Sequence, residues 1–220
     1  MSSFPTILIR HGGIPISRGT FSDRVKNLWG IIKSRIAIAL IALLGLSGCT
    51  SDSLARDYGN YTDNSGLPVQ VPIDKRTKPI DFTGTTIDGK TLTVSAVRGR
   101  VTVVNFWYAA CSPCRAEAPF LETLYKKYEP DGVKFIGVND RDQPSGAASF
   151  DKSYNISYPS VLDVDSGAAR IAFAGAVAPT ATPTTFVLDA KGRIAARIVG
   201  PIDSESILNT LISDTLAESK

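Results

Sequence analysis

Residues 105–117 read N-F-W-Y-A-A-C-S-P-C-R-A-E, an apolar run that ends on Cys111 and Cys114 with only Ser112 and Pro113 between them. The run begins earlier. Val101 to Trp107 is continuous, apolar and rich in β-branched residues, the pattern of a strand buried on both faces. Beyond the cysteines, Ala118, Leu121, Leu124, Tyr125 and Tyr128 recur at helical spacing, which predicts a helix over Pro113–Tyr128. The thiol pair therefore stands at a strand-to-helix corner.

Around this corner, apolar segments and turn signals alternate. Asp81–Ile87 and Thr91–Val94 flank Asp88-Gly89, a strong hairpin signal. Val133–Asn139 reads as a second buried strand, Ser145–Tyr154 as a helix, Ser160–Asp163 as a short strand and Ser166–Phe173 as a helix. A Pro- and Thr-rich stretch, Pro179–Thr185, leads into Thr185–Leu188; after the Ala190-Lys191-Gly192 turn, Arg193–Val199 completes an antiparallel hairpin. Ser204–Ala217 closes the chain as an amphipathic helix. Strand–helix–strand units followed by a hairpin and a helix imply an α/β fold, a mixed central sheet with helices on both faces.

The N-terminal third has a different character. Ile36–Leu46 is an uncharged apolar run, shorter than the roughly 20 residues that span a bilayer, and Lys26, Lys33 and Arg35 supply a positive flank. Leu46-Ser47-Gly48-Cys49 follows and resembles the bacterial lipobox, whose cysteine is lipidated before cleavage. The expected organisation is a signal peptide over 1–48, a lipidated Cys49 with a tether to residue 79, and a globular domain over 80–220. Residues 1–24 are longer than a signal needs, which suggests a later translation start at Val25 or Leu28. Such a protein is anchored to the bacterial cell membrane by lipid and faces away from the cytoplasm.

The whole 220-residue chain carries a net charge of only +3 and no basic stripe, so nothing supports nucleic-acid binding. Its one histidine, His11, falls in the leader. Zinc needs four ligands, and haem attachment needs a histidine directly after the second cysteine, where Arg115 stands. No metal and no cofactor is expected beyond the redox-active Cys111–Cys114 pair. A purely structural staple stays open, although so short a ring constrains the unfolded chain little. The redox reading has a mechanism: the N–H groups and partial positive charge of a helix N-terminus favour thiolate at Cys111 and lower its pKa. On this reading Cys111, nearest the exposed corner, attacks, and the more enclosed Cys114 resolves the mixed disulfide. Pro113 is tolerated in the first turn, where no N–H is needed.

With Val103-Val104-Asn105-Phe106-Trp107 before the C-x-x-C, Arg115-Ala116-Glu117-Ala118-Pro119 after it, and Pro183-Thr184-Thr185-Phe186-Val187-Leu188-Asp189 further on, the chain resembles the thioredoxin superfamily. Within it, the resemblance is to the membrane-tethered thiol–disulfide oxidoreductases of the TlpA and ResA type, and it covers roughly residues 80–211. It implies a thioredoxin fold with an N-terminal β-hairpin and an inserted helix–strand segment at 145–161. It also implies a cis Thr182–Pro183 bond, with substrate met at Thr182, Pro183, Pro113 and Trp107, although Trp107 also reads as core. Thioredoxin's buried aspartate corresponds to Asn105, which cannot titrate; ResA-like members carry a glutamate that corresponds to Glu117, three residues after Cys114 on one helix. Glu117 is thus expected to exchange protons with Cys114, the alternative being an ordinary solvated carboxylate. Tyr108-Ala109-Ala110 replaces the tryptophan that many relatives have before the first cysteine.

The function implied is reduction of disulfides in apocytochrome c or another exported protein, with a membrane electron donor of the CcdA type. The Ser-Pro dipeptide lies between thioredoxin's Gly-Pro and the Glu-Pro of ResA-like sequences, so the reducing half of the family's range, about −270 to −120 mV, is expected. The alternatives are a general oxidase or isomerase of secreted proteins, a peroxiredoxin-like peroxidase, and a binding lipoprotein with an inert disulfide.

Overall fold

The computed structural model describes residues 68–175 and 181–219. The signal peptide, Cys49 and most of the expected tether lie outside the described residues, as do Pro179 and Thr180. The fold is built on Thr102–Trp107 (β4), all six of whose residues are buried. It runs parallel to Lys134–Asn139 (β5) and antiparallel to Thr184–Leu188 (β7). Sheet order is β1-β8-β7-β4-β5-β6-β2-β3, where β1 is Val69–Gln70, β2 Thr83–Thr86, β3 Thr91–Thr93, β6 Ser160–Leu162 and β8 Ile194–Val199. Gly89, at φ +82°, turns the β2–β3 hairpin in the left-handed backbone region that glycine enters without cost.

Side chains alternate across the strands, and each face buries its own core. Val103, Phe135 and Val187 pack under the helices Ser112–Tyr128 (α1) and Glu205–Ala217 (α4), against Leu121, Leu124, Leu208 and Ile212. Val104, Phe106, Ile136, Phe186 and Leu188 face the opposite way, onto Phe82 and onto Ala169 and Phe173 of the short helix Ala168–Phe173 (α3). The inserted helix, Pro144–Tyr154 (α2), joins the first face, where Phe150 lies on Trp107 with ring centroids 4.3 Å apart. The α/β architecture with helices on both faces is the one expected.

Two of the departures from the expected boundaries have a clear physical cause. The helix expected from Ser166 begins at Ala168, because the Asp163 carboxylate accepts the N–H groups of Ala169 and Arg170 (2.8 and 3.0 Å) and so defines the first turn. The folded region also starts before residue 80. Val69 and Gln70 pair with Arg197 and Ala196 on β8, Val71 is buried, and Arg76 bridges Asp189 and Glu218. A two-residue strand has no period to read, so this segment resembled tether.

Candidate active site

Cys111 is the N-cap of α1, and its Sγ accepts the Cys114 N–H at 3.1 Å. The two sulfurs are joined as a disulfide. Pro113 lies in the first turn and is exposed. Both cysteines are only 2% exposed, so the expected contrast between an open Cys111 and an enclosed Cys114 does not appear. Both pack in one apolar cluster with Trp107, Ala118, Ala147 and Phe150, since bridging to Cys114 draws the Cys111 sulfur over the helix end. What separates them is the amide hydrogen bond to Cys111. Trp107 is 3% exposed and packs on Phe150, which places it in the core.

Glu117 is 1% exposed, which rules out a solvated helix carboxylate. Its Oε1 accepts from Asn105 Nδ2 (2.9 Å) and its Oε2 from the Ile202 N–H (3.0 Å). Asn105 spends its other amide hydrogen on Thr185 Oγ1 at 3.0 Å. Burial raises the Glu117 pKa, and the Ile202 and Asn105 hydrogen bonds only partly oppose it, leaving it at about 7. Among the described residues no group of His, Cys, Asp or Glu is arranged to hold a metal ion.

The Thr182–Pro183 bond is cis. Thr182 donates its hydroxyl to Asp140 Oδ2 at 2.7 Å, which ties this loop to the end of β5. The same end of β5 holds the approach to the cysteines. Asp142 Oδ2 accepts the Ala109 N–H and Asn139 Nδ2, and the Arg141 guanidinium lies 4.1 Å from the Tyr108 ring centroid. The sequence reading did not single out Asn139, Asp140, Arg141 or Asp142. A signal was available: four polar residues at the carboxyl end of a buried parallel strand, where open α/β sheets build their sites.

Residues 70–212 match the redoxin family. The chain belongs to the redoxin family. This redoxin is 27% identical over 175 residues to "Thiol-disulfide oxidoreductase ResA" of Bacillus cereus (strain ATCC 10987 / NRS 248), which covers 80% of this chain and 94% of the relative. Its structure is similar to a thiol:disulfide interchange protein of the thioredoxin family from Chlorobium tepidum TLS. That match has a TM-score of 0.59 at 30% identity and covers 64% of this chain and 97% of the other. MTB DsbF, solved in mixed oxidised and reduced forms, matches with a TM-score of 0.56 at 25% identity, covering 63% of this chain and 99% of the other. The redoxin is a thiol–disulfide oxidoreductase with a thioredoxin-like fold, and Cys111–Cys114 is its cysteine pair.

Proposed function

We propose that this redoxin is a lipid-anchored, extracytoplasmic reductant of disulfides in apocytochrome c or another exported protein, kept reduced by a membrane donor of the CcdA type. The observation that carries the reading is the Cys114 N–H aimed at Cys111 Sγ on the end of a 17-residue helix. A thiolate at Cys111 receives both that hydrogen bond and the helix's positive end, so it is the better-stabilised anion and the nucleophile. The kinship with ResA supports an extracytoplasmic setting, and the lipobox at Cys49 supports the anchor. Among the described residues no helix is long and apolar enough to cross a membrane.

The reaction runs in two exchanges. Cys111 thiolate attacks a client sulfur, and the partner client sulfur leaves as thiolate and takes a proton from water. Cys114 then gives its proton to the Glu117 carboxylate, and its electron pair closes the Cys111–Cys114 bond while the second client thiolate departs. A carboxyl that titrates near neutrality both accepts and returns a proton at physiological pH, so Glu117 can serve each direction of the cycle. An extended client strand would meet exposed Pro113 and half-buried Thr182, the residue before the buried cis Pro183.

The test is capture. Cys114→Ala cannot resolve a mixed disulfide, so exported clients should remain covalently attached to Cys111 and be identified after non-reducing separation. An empty trap under conditions where a control oxidoreductase traps its clients would refute the exchange reading. A potential well above about −200 mV would instead assign the protein to disulfide formation.

A further inference from the structure

Behind Cys114 lies a crevice that Glu117 does not line. Its walls include Cys114, Asn105, Asp151, Tyr158 and Ser160. Asp151 comes from α2 and Ser160 from the start of β6, so the inserted helix–strand segment builds the side of the crevice that faces the resolving cysteine. Among the described residues, Asp151 Oδ1 and Ser160 Oγ are buried polar atoms with no hydrogen-bond partner, and Ser160 is only 2% exposed. An unpaired buried polar atom costs about 1–3 kcal/mol, so two on one crevice wall call for an explanation. The backbone makes room for the Ser160 hydroxyl: a Cβ on Gly137 would lie 2.1 Å from Ser160 Oγ.

With the disulfide closed the crevice is too tight to admit a water molecule. Reduction changes this, because the sulfurs must part from bonding to van der Waals distance. Cys111 Sγ accepts the Cys114 amide and Cys114 lines the crevice, so the crevice is the space open to the Cys114 sulfur when the two part.

We propose that Asp151 is a second proton acceptor for Cys114, reached across this crevice and independent of Glu117. The inference rests on the dithiol-exchange reading. In the resolving step the Cys114 thiol proton passes to the Asp151 carboxylate, with Ser160 Oγ–H free to donate to the carboxylate. The sulfur's electron pair forms the bond to Cys111, and the client sulfur leaves with the pair of the broken bond. When a donor dithiol reopens the disulfide, Asp151–H returns the proton to Cys114. Burial, and after it the negative charge of Glu122, raise the Asp151 pKa to about 7, which suits such an exchange. The other charged or titratable groups around it are Lys126, paired with Glu122 at 3.0 Å, and Tyr158. Glu122 itself is occupied by the Ser157 N–H and hydroxyl, whereas Asp151 Oδ1 is unpaired.

The experiment uses the full chain with Cys111→Ser, leaving Cys114 as the lone thiol of the site, and follows its alkylation rate against pH with and without Asp151→Asn. Removing a neighbouring carboxylate charge should lower the apparent Cys114 pKa by about one unit, and in a Glu117→Gln background should abolish the step near neutrality. Asp151→Glu should restore the step. Unchanged titration in Asp151→Asn overturns the proposal. A measurement on the unmutated protein guards against misfolding: the Asp151 carboxyl carbon shift, followed by NMR, should titrate at different midpoints in the oxidised and reduced forms, and equal midpoints also overturn it. Failure of the unmutated protein to exchange with glutathione at any pH would instead defeat the exchange reading itself. Normal exchange with a pH profile indifferent to Asp151 defeats only this inference.

Discussion

Replacing Glu117 by Gln in the oxidised protein should make the fold more stable at neutral pH, and the reason lies in where the carboxyl is held. Its pKa rises from an ordinary 4.5 to about 7 in the folded state. Below 4.5 both states carry the proton and Glu117 adds no pH dependence. Between those values the unfolded chain releases its proton while the folded chain retains it, so stability falls as pH rises. Above the folded pKa both states are ionised and the penalty is constant. A difference of about 2.5 pH units, at about 1.36 kcal/mol each, makes that penalty about 3 kcal/mol. Glu117 is 1% exposed, so solvent screening takes little from this figure. Glutamine mimics the protonated acid and never ionises. Its carbonyl can accept the Ile202 N–H while its NH₂ turns toward Asn105, which must flip and take a donated hydrogen bond from Thr185 Oγ1 in exchange. That rearrangement costs about 1 kcal/mol at all pH values. Urea unfolding of both oxidised proteins from pH 4 to 9 should give curves that start close together, cross, and separate by about 2 kcal/mol above pH 7. Asp151 contributes equally to both proteins and cancels. Parallel curves across that range would refute a buried, protonated Glu117.

Three other substitutions probe the scaffold. Asp189 is buried between Arg76 and Arg193, and burial alone would raise its pKa, but hydrogen bonds from the Arg193 backbone and side chain and from Arg76 outweigh burial and hold it low. Its stabilisation is therefore present above its ordinary 3.8 and is lost as pH falls through the depressed folded value. Asp189→Ala leaves Arg76 with Glu218 as its remaining carboxylate partner and removes the acceptor of the Lys191 and Arg193 N–H groups, so it should cost about 1–3 kcal/mol in denaturant unfolding, with amide exchange at Val71 accelerating first. Gly137→Ala drives a methyl into Ser160 Oγ and to 2.8 Å from Trp107 Nε1, for an expected loss of about 1–3 kcal/mol that Ser160→Ala should partly restore in thermal melts. Thr182→Val removes the hydroxyl that satisfies Asp140 Oδ2 and should cost about 1–3 kcal/mol. It should also push the Asp140 pKa, already raised chiefly by burial, further up in an NMR titration.

The central strand, the hairpins and the helices were legible because each is a local repeat. Apolar residues at every position of 102–107 say that both faces are covered, and the spacing from Ala118 to Tyr128 says which side of the helix turns inward. The Cys111–Cys114 motif was legible for a related reason: a strand-to-helix corner with two thiols admits few chemistries when the one histidine, His11, lies far from it in the sequence. The cis Thr182–Pro183 bond was implied by resemblance and not by physics, since an X–Pro bond takes that form only about 5–6% of the time.

What a residue meets across the core has no such local signature. The Val69–Gln70 strand exists because Arg197 and Ala196 lie beside it, and Arg76 is fixed by partners 113 and 142 residues away. Glu117 looks like any helix carboxylate in the sequence. It becomes a neutral-range acid because β4 presents Asn105 beneath it and the Ile202 amide arrives from 85 residues downstream, excluding water from both oxygens. Asp151 and Ser160, nine residues apart in the inserted segment, share a crevice with Cys114 only because α2 and β6 fold back over Trp107. Periodicity states how much of a side chain is buried, and so the sequence could specify the sheet, the helices and the thiols. Only the tertiary structure decides which groups are left together without water, because that depends on contacts between residues far apart in the chain.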